Sequence, residues 1–354
     1  MEIQEKIDVL AKEEGTTFTC DQAALEQGYA NLEHEQGSLA IKILSVFGGF
    51  LATSFFLSFV FASGLFDSDW GLITFGLIII AFAVWLNTYT SKLIVDTISV
   101  CSYAAGFSML AIGLSMVHVD ENFIGLTCII LSMLTLIITQ NYILSFIAIL
   151  FINGSFLFLI AVNEAYSLIH VYNAALLLLL TYFFLHEEKV FKGSKIIAKL
   201  YNPLRIGLLV SAICGLVFVA TKNIFEINIY YIWLSSLIII PLNIYVISKI
   251  IKIIGVEQTN TKAAIYALSV LFLIPSVLSP AIAGALLLIL LCFLTNYRTG
   301  FALSVVAFIY FVGQYYYDLN YTLLTKSIIL FASGVVFLLF YLFLRSKLEA
   351  HEKI

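Results

Sequence analysis

Asp96 stands four residues after Lys92, about one turn into an apolar run that opens at Leu93. A carboxylate carried into hydrocarbon costs at least a few kcal/mol, so it either pairs with a cation or serves as a proton or cation site. The i,i+4 spacing to Lys92 suits the first role. Asn153, with Gly154 and Ser155 beside it, lies near the middle of another apolar run. An amide at that depth needs a partner, most cheaply an amide or hydroxyl on a neighbouring helix, worth about 1 kcal/mol. Asn243 follows Pro241 by two residues. Proline frees a backbone carbonyl that an amide side chain could satisfy, and discontinuous helices of this kind line transporter sites, although Pro-x-Asn kinks also occur in ordinary bundles.

The densest polar cluster runs from Gly313 to Ser327 and contains Gln314, Tyr315, Tyr316, Tyr317, Asp318, Asn320 and Lys326. Tyrosines suit a bilayer interface, where the ring stays apolar while the hydroxyl reaches water. Asp318 or Asn320 is placed to cap the following helix, and Lys326 can snorkel back toward Asp318. The alternative is a polar or anionic ligand, or a partner protein, meeting this turn.

Other chemistry is thinly represented. Asp67, Asp69, His118, Asp120, Glu121, Glu164, His170 and Glu226 fall at breaks between apolar runs and read as scattered solvated charges. A metal would need ligands converging from separate loops, which the spacing does not supply. The 5 cysteines, Cys20, Cys101, Cys128, Cys214 and Cys292, have no paired spacing, and neither disulfide nor metal is expected. There is no nucleotide loop, nucleophile constellation or cofactor motif. The sequence points to no enzyme, no cofactor and no nucleic-acid partner.

The elements that must position these residues are membrane spans. The chain is 62% hydrophobic and 11% charged, with a mean hydropathy of +1.04. Soluble domains carry about 25% charged residues. Apolar runs of about 20 residues cross a bilayer as helices, and gaps between them place spans near 40–63, 70–88, 93–117, 122–138, 142–161, 166–185, 203–221, 229–248, 262–279, 280–295, 297–315 and 323–344. The expected fold is an all-α polytopic transmembrane helix bundle of about twelve spans. Of the 18 Lys and Arg, all but Lys222 and Lys326 fall on one side of that scheme. By the positive-inside rule both termini are then cytoplasmic, and an odd span count would break the pattern. Segments 262–279 and 280–295, joined at Ser279-Pro280, read either as a tight hairpin of spans or as a re-entrant pair.

Three regions follow: an acidic cytoplasmic helical tail at 1–38, a transmembrane bundle at 39–345 and a short cytoplasmic tail at 346–354. The first 38 residues lack a cleavable signal pattern, and their acidity opposes binding to anionic lipid. They could instead dock on the basic loop from Lys189 to Arg205. Small residues recur at Gly48, Gly49 and Ala52, at Ser102, Gly106 and Gly113, and at Ala281, Gly284 and Ala285. These read as packing seams within a compact bundle or a homo-oligomer.

Two stretches carry a family resemblance. Gly37 to Lys42 leads through Phe47-Gly48-Gly49-Phe50 to Ser63-Gly64-Leu65-Phe66-Asp67-Ser68, and Tyr315-Tyr316-Tyr317-Asp318-Leu319 precedes Thr322-Leu323-Leu324-x-Lys326-Ser327. They resemble an uncharacterised bacterial group of multi-pass membrane proteins, domain-of-unknown-function family 4401, from about residue 37 onward. That resemblance implies an inner-membrane setting. It also implies a small membrane-protein partner, because members often sit beside a gene for one with a Gly-Asp-Tyr motif. It supplies no catalytic residues.

The leading expectation is therefore a non-catalytic membrane component acting with a membrane partner in the lipid bilayer. The alternative is a transporter or channel-like protein for a small or lipid-like solute. Twelve spans resemble the major facilitator outline, but Asn87-Thr88-Tyr89-Thr90-Ser91-Lys92 stands where that superfamily carries a Gly-rich, charged motif.

Overall fold

Short polar residues between the apolar runs set the helix ends. Asp120 Oδ1 accepts from the Asn122 N–H at 2.7 Å and opens one helix, and Asn141 Oδ1 accepts from the Ile143 N–H at 3.0 Å and opens the next. Gly255, at φ 73°, closes another in the left-handed conformation that costs glycine nothing.

The computed structural model describes residues 39–338 apart from 65–67, 90–92, 140, 188, 190–194, 221–230, 256–257, 319–321, 323, 329–330, 332–333 and 336–337. Both tails, Lys92, Lys222, Glu226 and Asn320 lie outside the described residues, as do the proposed tail-to-loop contact and much of the span at 323–344. Regular structure among the described residues is helical throughout. In order come α1 (Leu39–Ala62), α2 (Asp69–Tyr89), α3 (Leu93–Met116), α4 (Glu121–Ile138), α5 (Tyr142–Val162) and α6 (Leu168–Leu185). There follow α7 (Lys195–Ala220), α8 (Trp233–Ile254), α9 (Thr259–Leu273), a 3-10 turn (Pro275–Leu278), α10 (Pro280–Leu294) and α11 (Arg298–Asp318).

Among the described residues, 8 helices, α2 to α8 and α11, are long and apolar enough to cross a membrane. Large apolar side chains such as Phe55, Phe59, Ile78, Trp85 and Ile137 stand exposed on them and on α1. Lipid is the solvent that tolerates such a surface. The chain is an integral membrane protein. The pair expected at 262–279 and 280–295 consists of two 15-residue helices, α9 and α10, with Pro280 opening the second as expected.

Two cores organise the bundle. Tyr103, Phe107 and Leu110 of α3 pack with Ile73, Ile80 and Ala83 of α2 and with Leu144 and Ala148 of α5. Leu209, Ala212 and Leu216 of α7 pack with Leu177 and Leu180 of α6 and with Ala283, Leu287 and Leu291 of α10. Helix α5 bridges the halves, because it packs on α4 and α7 and touches α3. Glycines let α2 and α3 meet closely: a Cβ on Gly76 would lie 2.9 Å from the Gly106 carbonyl oxygen, and one on Gly106 equally near that of Gly76. The expected seams at Gly106 and Gly284 are thus filled within the chain, the latter by Leu216, whereas a Cβ on Gly48 would meet nothing.

Candidate functional site

The polar residues of the spans gather at three levels. At one end, Asp96 in the first turn of α3 is buried, and its Oδ1 accepts from Asn87 Nδ2 of α2 and Asn141 Nδ2 at the start of α5, both at 3.0 Å. The expected partner Lys92 lies outside the described residues; among the described ones, two neutral amides hold the carboxylate. Asn141 works in both directions, since its oxygen caps α5 while its nitrogen reaches Asp96. Asn87 Oδ1 and the Ser99 hydroxyl, one turn beyond Asp96, are buried with no hydrogen-bond partner among the described residues.

At mid-depth, Asn153 meets the kind of partner expected of it. The Tyr172 hydroxyl of α6 donates to Asn153 Oδ1 at 3.2 Å, and Asn153 Nδ2 donates to the Ile149 carbonyl at 2.8 Å. Next to Tyr172, Asn173 Nδ2 donates across to the Gly215 carbonyl of α7 at 3.0 Å, and a Cβ on Gly215 would collide with Asn173 Oδ1. Asn243 departs from its expected role. Its Nδ2 bonds the Ile239 carbonyl of its own helix at 2.9 Å and the Ala283 carbonyl of α10 at 3.0 Å. Residue 239 is not the one four places before Pro241, so the amide ties α8 to α10 rather than mending the proline gap.

Beside Asn153 lies a cavity of about 420 Å³ where α4 leans on α5 and leaves α3. Phe107, Ser108, Gly125, Phe151, Gly154 and Phe158 are among its walls. The lining is mainly apolar, and Ser108, Gly154 and Phe158 are exposed at its margin. A Cβ on Gly154 would meet nothing within 4 Å.

At the far end of α11, Gln314 Nε2 donates to Asp318 Oδ1 at 3.2 Å, and Tyr317 is exposed. Lys326 does not reach Asp318. Its ammonium donates to the Tyr316 carbonyl at 2.8 Å and lies 5.1 Å from the Tyr316 ring centre, which places a cation on the last carbonyls of α11. The Thr322 hydroxyl accepts from the Thr325 N–H at 3.3 Å, a capping contact at the start of the following helix, while Asn320, the other expected cap, lies outside the described residues.

With fold and polar network in view, comparison with known families is decisive in one respect. Residues 38–347 match the family described as Domain of unknown function (DUF4401). The chain belongs to that family. No curated protein and no solved structure matches it. For this DUF4401 protein the sequence-derived candidates therefore separate into distinct places: Asp96 at one end, Asn153 and Asn243 as interhelical ties, and Gln314, Tyr317, Asp318 and Lys326 around the α11 terminus.

Three polar groups escaped the sequence reading. Asn87 and Asn141 sat at breaks between runs, where an amide signals only a helix end. Asn173 is one amide in a long apolar stretch, a pattern that singles out Asn153 equally well. His170 was grouped with solvated charges, yet it is buried in the first turn of α6 with Nδ1 at 2.7 Å from the Ser235 hydroxyl of α8. Among the described residues, no group of three His, Cys, Asp or Glu side chains converges as a metal site would require.

Proposed function

We propose that this DUF4401 protein is a non-catalytic component of the bacterial inner membrane, with both termini cytoplasmic, that acts through a membrane-protein partner docked on α9. One observation carries this reading. Among the described residues, helix α9 packs mainly on α8 and the 3-10 turn, and the earlier turns of its outward face present Thr261, Ala263, Ala264 and Ala267 before the larger Val270 and Leu271. Small and hydroxylated residues let helix backbones approach closely, whereas α1, α2 and α4 expose Phe, Ile and Trp, as lipid-facing surfaces do. The outward seam at Gly48 adds a second place for close approach.

A photocrosslinking residue at Ala264 or Ala267 in native membranes tests the docking. A single discrete membrane-protein adduct is expected from those sites and none from Ile78, which is exposed on α2. Equal labelling of lipid from all three would overturn the reading, and an adduct of twice the chain mass would make the partner a second copy.

The cavity beside Asn153 favours one alternative, the handling of a lipid-like solute. Its 420 Å³ falls in the range of small-ligand pockets, and its apolar walls suit a hydrocarbon chain. Filling it from Gly154 separates the readings, because Gly154→Leu would abolish solute handling and leave partner docking at α9 intact.

A further inference from the structure

We propose that the inter-helical recess around Arg205 binds the phosphate of an anionic phospholipid headgroup. The recess is built by a turn. Asn296, at φ 51°, ends α10 in the left-handed conformation, and the Tyr297 N–H returns to the Cys292 carbonyl at 2.8 Å. That return throws the Tyr297 ring back over α7, where its centre lies 3.7 Å from Arg205 Cζ. Gly300 makes room for the ring, since a Cβ there would collide with it. Tyr201 and Phe184 close the sides at 5.4 and 5.9 Å.

This arrangement grips the face of the guanidinium, and the Tyr201 and Tyr297 hydroxyls also lie within its hydrogen-bonding reach. Among the described residues, Arg205 Nε is buried with no hydrogen-bond partner and no carboxylate pairs with the side chain. Among the described residues, the Glu187 carboxylate faces the Tyr201 hydroxyl. A guanidinium edge is matched to two oxygens of a phosphate, and stacking on an aromatic ring preorganises that fork. Lys199, six residues before Arg205 on α7, and Arg298, next to Tyr297 in sequence, are exposed cations. Basic recesses between helices at a membrane surface are where acidic headgroups settle.

The test uses the full chain purified in mild detergent, stripped of lipid and offered phosphatidylglycerol, phosphatidylcholine or inorganic phosphate, with occupancy read by native mass spectrometry and thermal shift. One retained phosphatidylglycerol is expected, with about tenfold weaker retention for Arg205→Gln and an intermediate loss for Arg205→Lys. Lys252→Gln, an exposed cation on α8, is expected to bind as the parent does. Should Arg205→Gln not fold, Arg205→Lys and Tyr297→Leu decide, and unchanged retention in both would overturn the proposal. Equal retention of phosphatidylcholine would also overturn it. Arg205-dependent stabilisation by inorganic phosphate, with none by the lipid, would overturn the lipid assignment and leave a free phosphate site.

Discussion

Asn141 and Asp96, 45 residues apart, are joined by a 3.0 Å hydrogen bond in which the amide nitrogen of one helix start holds the carboxylate of another. The same amide has its oxygen on the Ile143 N–H, so neither end of the group is free to turn. Replacement by aspartate keeps the cap and reverses the other contact, setting carboxylate against carboxylate. Asn141→Asp is expected to destabilise the protein by about 2–4 kcal/mol, more than Asn141→Ser, which keeps the cap and removes only the donor. Thermal unfolding in detergent at neutral pH measures the difference. Equal losses would mean that no repulsion develops between the two carboxylates.

Tyr172→Phe removes one hydroxyl from the α5–α6 interface and leaves the ring in place. The Asn153 oxygen then loses its partner on the neighbouring helix. A loss of about 1 kcal/mol is expected in unfolding measurements. A double-mutant cycle with Asn153→Ala should return a coupling of similar size.

Lys326 and Asp318 give a contrast that separates two structural accounts of the α11 terminus. The ammonium sits on the Tyr316 carbonyl, so Lys326→Met is expected to cost about 1 kcal/mol. Asp318→Asn retains an oxygen that can accept from Gln314 and should change stability by less than about 0.5 kcal/mol. If Asp318→Asn proved as costly as Lys326→Met, an ion pair between them would be the better account.

Gly106→Leu drives a branched side chain into the Gly76 carbonyl and Ile80, where even a Cβ has no room. Separation of α2 from α3 should cost at least about 3 kcal/mol, seen as lost expression or a lower unfolding temperature. Gly154→Leu, facing open space, is the matched control and should fold normally.

Much of this architecture was readable because the bilayer imposes it. Apolar run length located the helices, and Pro280 marked the start of α10 by local chemistry that needs no tertiary knowledge. The candidate site was less legible, for a physical reason. Asp96 was conspicuous as a charge in hydrocarbon, but its partners come from residues 9 and 45 positions away and have no local signature. Lys326 and Asp318 looked complementary in charge, and a nearer backbone carbonyl won the ammonium. Arg205 read as one more basic residue at a span end until the α10–α11 turn placed a ring over it.

The pair of 15-residue helices has a mechanical consequence for the surrounding membrane. At about 1.5 Å per residue each is roughly 22 Å long, about 8 Å short of an average hydrocarbon core. Helix α10 is enclosed by protein, but α9 is not. Were α9 to cross the bilayer by itself, lipid touching it would have to compress to match it, at a cost of fractions of a kcal/mol per ångström that falls on the bilayer rather than on the fold. Such a crossing would draw the protein toward thinner membrane regions and reward whatever covers α9.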